Sequence, residues 1–129
     1  MVQYSAWTTR EGNPLLLSEE ELESLWDAAE EAAAAQQVQR FSALVKTLLG
    51  YLIYHTMGYE YLSLIPDPIG EPSPHRLRAA RPSFFQALRA RDKDEARDYA
   101  QQCLQLAVPK VQRMWRQSSL TFPGSRTLQ

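Results

Sequence analysis

Two histidines and one cysteine bound the chemistry this sequence can do. His55 lies in an apolar stretch beside Tyr51, Tyr54 and Tyr59, with Tyr61 following. Every phenol hydroxyl withdrawn from water needs a hydrogen-bond partner. A hydrated ligand cavity or a wet interface meets that need; ordinary core tyrosines and a satisfied, partly buried histidine are the plainer alternative. Tyr99 and Cys103 recur on a later helical stripe. Tyr51, Tyr54, His55, Tyr99 and Cys103 are therefore the candidate ligand-binding set. Cys103 as a nucleophile would need a positioned base and a lowered pKa. The sequence supplies neither, so Cys103 reads as a small apolar residue. His75, near a helix start, reads as a surface residue.

Metal and redox chemistry find little footing. Asp27 and Glu31, four apart on one helix face, could share a proton or hold a divalent cation. Nothing nearby completes a ligand set, and they read as solvated acids. Two histidines and one cysteine, widely separated, do not make a zinc spacing, and a lone cysteine excludes an intramolecular disulfide. No metal and no cofactor is expected.

Arg76, Arg81, Arg89, Arg91, Arg113 and Arg116 could hold phosphate, bidentately in favourable cases. There is no Gly-rich phosphate loop and no recognition-helix signature, so direct nucleic-acid binding is not expected. The formal net charge of −1 fits that reading. The charges are segregated, however: residues 1–74 hold three basic groups against eleven acidic, net −8, and residues 75–129 hold eleven against four, net +7. Either acidic and basic helices pack beside each other with solvated rims, or a surface of one sign is offered to a partner or a second copy. Arg113 and Arg116 are the candidate partner-binding residues.

The elements that position these residues are helices. At 129 residues the chain makes one domain. Residues 1–17 read as an irregular arm, residues 18–118 as a single helical domain, and residues 119–129 as a Ser/Thr/Pro/Gly tail. Ser18 with Glu21 is a capping box, and Leu22, Leu25, Trp26, Ala29, Ala32 and Ala33 continue it as an apolar stripe. A second helix is expected over Val38–Leu62, apolar on nearly every face around residues 48–54 and so buried all round. Gly50 in it suggests a close helix approach or a bend, and Gly58 the same or an early end. Pro66, Pro68, Gly70, Pro72 and Pro74 then break any regular structure. Ser73-Pro74 starts a third helix to about Ala90, broken or continuous at Pro82. Asp92 caps a fourth, expected to run to Gln117 with a kink at Pro109. The architecture is all-α: a bundle of four main helices with a proline-rich loop between the second and third.

Residues 18–62, "SEEELESLWDAAEEAAAAQQVQRFSALVKTLLGYLIYHTMGYEYL", and 84–103, "FFQALRARDKDEARDYAQQC", carry a likeness to a known family. The first, an acidic capped helix leading into an "F-x-x-L" helix, resembles the start of the all-helical effector-binding domain of GntR-type bacterial transcription regulators. The second is similar to that domain's closing "A-L-x-x-x-D-x-x-x-A" pattern. Many members bind a metal through Asp and His. Val45 and Leu49 stand at the matching places here, and Arg81-Pro82 replaces a Glu-His pair, so the resemblance carries over no metal. No winged helix is present in these residues. What the resemblance implies is an effector-binding and dimerising part.

The expected function is thus a non-catalytic helical binding module: effector-binding, regulatory, and self-associating as a homodimer. The alternative is a small structural subunit, assembly factor or adaptor of a larger complex with no small-molecule ligand. Its protein partner would meet the acidic N-terminal half or the basic C-terminal half. An enzyme would need convergent acids and bases in a cleft, and the sequence shows none. The uncharged run between Lys46 and Glu60 is too short to span a bilayer, and the charged, non-basic start carries no secretion signal, so a cytoplasmic location is expected.

Overall fold

Helix starts fall where the sequence places a cap. In the computed structural model, which describes residues 16–66 and 69–109, Ser18 opens α1 (Glu19–Ala34) with both halves of the capping box formed. Glu21 N donates to Ser18 Oγ at 3.1 Å and Ser18 N to Glu21 Oε1 at 2.9 Å. Ser73 Oγ accepts from Arg76 N ahead of α3 (Pro74–Arg89), and Asp92 Oδ1 accepts from Asp94 N ahead of α4 (Lys93–Ala107). Only α2 (Val38–Thr56) starts without a side-chain cap. It follows α1 through a tight turn in which Gln36 adopts φ 56°. Gln37 N donates to Ala32 O and Gln36 N to Ala33 O. This is the Schellman arrangement that glycine usually provides.

Two helix ends differ from the expectation, each for a local reason. α2 stops at Thr56 rather than Leu62. Met57 N and Gly58 N both donate to Ile53 O, and Gly58 then takes φ 121°, a conformation a side chain rarely adopts. A short 3-10 helix, Tyr59–Leu64, follows. Pro82 does not break α3. Pro82 and Arg78, whose carbonyl loses its donor, are both on the exposed side, while Leu77, Ala80, Phe84 and Phe85 anchor the buried side. α4 ends at Ala107 instead of bending at Pro109. Val108, pushed out of the α region by the following proline, has φ −138° and ψ 87°. The remainder of the expected fourth helix, Arg113 and Arg116 included, lies outside the described residues, as do residues 1–15.

The fold is an all-helical four-helix bundle. Arg78 and Arg81 of α3 meet Glu30, Asp27 and Glu23 of α1, and Arg89 meets Glu19. Rising numbers on one helix pair with falling numbers on the other, so α1 and α3 run antiparallel. α2 also runs antiparallel to α1, through its tight turn, and α4 to α3. Thus α2 and α3 point the same way, and the connection over residues 57–73 must return the chain along the bundle. Ile69, 5% exposed, pins that connection to the core.

The core centres on α2. Leu48, Leu49, Gly50, Tyr51, Leu52 and Ile53 are six consecutive buried positions. Six in a row cover every face of a helix, so this segment touches protein all round. At about 1.5–3 kcal/mol per fully buried large side chain, it is a main source of folding free energy. The expected burial does not extend along the whole helix: Ala43 is exposed and Lys46 and Thr47 are half-buried. Around the rod pack Trp26, with Phe84 edge-on at 5.3 Å, and Leu77, Cys103 and Leu104. Ala29, Ala32 and Ala33 are fully buried, the small side chains letting a neighbouring helix come close. The indole N–H of Trp26 is buried without an acceptor. No helix among the described residues is long and apolar enough to cross a membrane.

Candidate functional site

The start of α1, the end of α2 and the turn from α3 to α4 meet at one end of the bundle. Between them lies an open cleft of about 600 Å³. Early termination of α2 helps to create it: Thr56, Met57 and Gly58 line the cleft where a longer helix would continue. Its floor is apolar, with Leu22, Met57, Phe85 and Ala96 all buried. One wall is aromatic. Tyr51 and His55 stand one turn apart on α2 with ring centroids at 4.2 Å, and the Tyr54 ring meets His55 edge-on at 5.4 Å. The Tyr51 hydroxyl accepts a hydrogen bond from Leu17 N at 3.1 Å, which ties the segment before α1 to this wall.

The rim is basic. Arg89, Arg91, Lys93 and Arg97 line the cleft, against Glu19 and Asp92. Arg97 Nε donates to Thr56 O at 3.3 Å, satisfying a carbonyl in the last turn of α2. Arg89 forms a two-pronged pair with Glu19: Nε to Oε1 at 2.8 Å and Nη2 to Oε2 at 2.7 Å. That hydrogen bond, with the nearby guanidinium charge, holds the Glu19 carboxyl below its ordinary value. The Arg89 guanidinium also lies 5.8 Å from the Phe85 ring centre. The Thr56 hydroxyl is donated to Leu52 O at 2.6 Å. Neither serine nor cysteine is among the described lining residues.

Of the five residues singled out from sequence, Tyr51, Tyr54 and His55 line this cleft, and Tyr99 and Cys103 do not. Cys103 is fully buried, and desolvation pushes its thiol far above the usual cysteine value. Along α4, Cys103 is about 15 Å beyond Lys93 at 1.5 Å per residue. A site between the middles of α2 and α4 would have collected all five; the space opens at the helix ends instead. Sequence reasoning did not place Phe85, Met57, Lys93 or Arg97 at the site, and it singled out Arg89 and Arg91 only as possible phosphate holders. The available signal was that Gly58 and Asp92 set a helix end and a helix start at the same end of an antiparallel bundle.

A second, smaller cavity of about 250 Å³ lies at the opposite end, lined by Phe41, Ile69, Arg76 and Val108 among others. Among the described residues no group of three or more His, Cys, Asp or Glu side chains could hold a metal ion. The opposite charges of α1 and α3 meet within the chain. Arg81 donates to Asp27 Oδ1 at 2.8 Å, Glu30 Oε2 at 3.1 Å and Glu23 Oε1 at 2.9 Å. Burial works against its charge, but these hydrogen bonds outweigh it and raise its pKa above the usual arginine value. No family model, curated protein or solved structure matches the chain.

Proposed function

We propose that this chain is a non-catalytic, cytoplasmic binding module that takes a small organic acid in the end cleft and acts as a self-associating regulatory domain. One observation carries the reading: an apolar floor and aromatic wall meet a rim with four cations in a cleft of about 600 Å³. Ligand pockets are typically of this size and carry a few convergent polar groups. An apolar tail would lie over Phe85 and Met57 while an anionic head meets the rim arginines. The likeness of residues 18–62 and 84–103 to the effector-binding domain of GntR-type regulators supports the same reading.

A thermal-shift panel of organic acids and acyl thioesters tests it. A true ligand at one hundred times its Kd stabilises the protein by about 2.7 kcal/mol. The exposed rim variant R91A/K93A should weaken that response while melting normally without ligand. A panel with no hit sinks the reading.

A small structural subunit or adaptor is the second reading, favoured by a different observation. Val38 and Leu106, 55% and 43% exposed, sit toward the end opposite the cleft. Light scattering read together with the ligand panel separates the two. A ligand-free assembly whose rim variants do nothing supports the adaptor, and a ligand-responsive protein supports the effector domain.

A further inference from the structure

The cleft already holds a carboxylate, and it belongs to the protein. Glu19 grips Arg89 through both oxygens at 2.8 and 2.7 Å, and both residues line the cleft. This is the geometry in which arginine recognises any carboxylate. Resting on the organic-acid reading above, we infer that Glu19 is an internal stand-in for the ligand, and that an incoming carboxylate exchanges with it on Arg89. Other rim cations are less suited to the exchange. Arg97 Nε is committed to Thr56 O, while Arg91 and Lys93 stand on the exposed turn. The Arg89 guanidinium lies 5.8 Å from the ring centre of Phe85, a floor residue, so an acid seated on Arg89 has the apolar surface within reach of its tail.

The pair is weak enough to exchange. Its side chains are 59% and 50% exposed, and exposed pairs favour the closed form only a few-fold. Exchange has a consequence for α1. Glu19 is its first residue, and Leu16 and Leu17 just before it also line the cleft. Arg81 and Arg78 still hold the later turns of α1 through Glu23, Asp27 and Glu30. Ligand uptake therefore frees the Glu19 side chain and loosens the start of α1, which the capping box and the Leu17 N–Tyr51 hydroxyl bond still hold, and leaves the bundle closed. The ligand head reports its arrival through the loss of one internal ion pair.

Isothermal titration of the full chain with octanoate, a monocarboxylate with an apolar tail, tests the exchange. Removing the competitor in E19Q raises the fraction of free Arg89, so octanoate should bind about two- to six-fold more tightly than to the unchanged protein. D92N is the control. It removes the other cleft carboxylate, which makes no contact with Arg89, and asparagine caps a helix as well as aspartate does. Its gain should be clearly smaller. Carbon-13 NMR of the Glu19 carboxyl at neutral pH, where Glu19 and octanoate are both ionised, gives a separate readout: its chemical shift should move toward that of a free carboxylate as octanoate saturates the site and Arg89 is lost as a partner. Tight octanoate binding with an unresponsive E19Q, an equal gain in D92N, or an unmoved Glu19 carboxyl signal at neutral pH overturns the inference alone. No octanoate binding by either protein overturns it together with the organic-acid site.

Discussion

Replacing Arg81 with glutamine should cost the bundle about 2–3 kcal/mol. The side chain is 23% exposed and bridges α3 to three carboxylates on α1. Two of these, on Glu23 and Asp27, are 50% and 71% exposed. Pairs of that kind each contribute about 0.2–1 kcal/mol. Glu30 decides the sum, being only 18% exposed. Arg78 reaches it only at 3.6 Å, so losing Arg81 leaves a half-buried carboxylate poorly satisfied, at about 1–3 kcal/mol. Urea denaturation measures the total, and a double-mutant cycle with E30Q measures the pair. R81Q alone should be worse than R81Q/E30Q, because the second change removes the stranded charge. A loss below about 0.5 kcal/mol in R81Q, or additivity in the cycle, would refute the reasoning and reduce the network to surface decoration.

Other perturbations follow from the same structure. Leu52→Ala, at a fully buried position in the C-terminal part of α2, should cost about 3–5 kcal/mol in chemical denaturation. Gly58→Ala places a side chain at φ 121° with its Cβ 3.1 Å from Glu60 Oε1; thermal melts should show a loss of about 1–3 kcal/mol. Cys103, fully buried with its thiol held protonated, should resist a thiol reagent in the native protein and react with one equivalent in denaturant. Glu21 is held below 4.5 chiefly by the Ser18 N–H and then by its hydroxyl, and Glu19 by Arg89. Both depressions stabilise the fold above pH 4.5, and the contribution fades as pH falls through the lower folded values. Melting temperature against pH should therefore decline more gently below pH 4.5 in E19Q/E21Q than in the unchanged protein.

Caps, periodicity and breakers made most of the fold legible in the sequence. Ser18, Ser73 and Asp92 announce three of the four helix starts, because a side-chain oxygen beside orphan N–H groups is a local effect. Helix ends were harder. Gly58 and Pro109 were visible, but whether a glycine bends or stops a helix, and whether a proline kinks or ends one, depends on what packs on the next turn. Pro82 shows the converse: a residue that locally disfavours helix survives because its exposed side loses little and Phe84 and Phe85 anchor the other. The turn at Gln36 gave no warning, since a glutamine there adopts the left-handed conformation for the sake of the α1–α2 packing.

The cleft was half legible. Tyr51, Tyr54 and His55 stood out as polar rings in an apolar run. Tyr99 and Cys103 shared the same periodic pattern, yet periodicity gives the face of a helix and not the height at which space opens. That height is set by helix ends and by the direction of each helix. The direction depends on the connection over residues 57–73, whose composition says loop without saying that it crosses the bundle. The charge asymmetry between the chain halves admitted both an internal and an external partner, and Arg78, Arg81 and Arg89 meet theirs on α1.

The most direct test of the account is an amide chemical-shift map of the protein titrated with octanoate. The account predicts that the largest shifts gather at residues 51–58 and 85–97, with Leu17 and Glu19 moving together with them. Shifts centred instead on Phe41, Ile69 and Val108 at the far end, or no saturable shift at all, would contradict it.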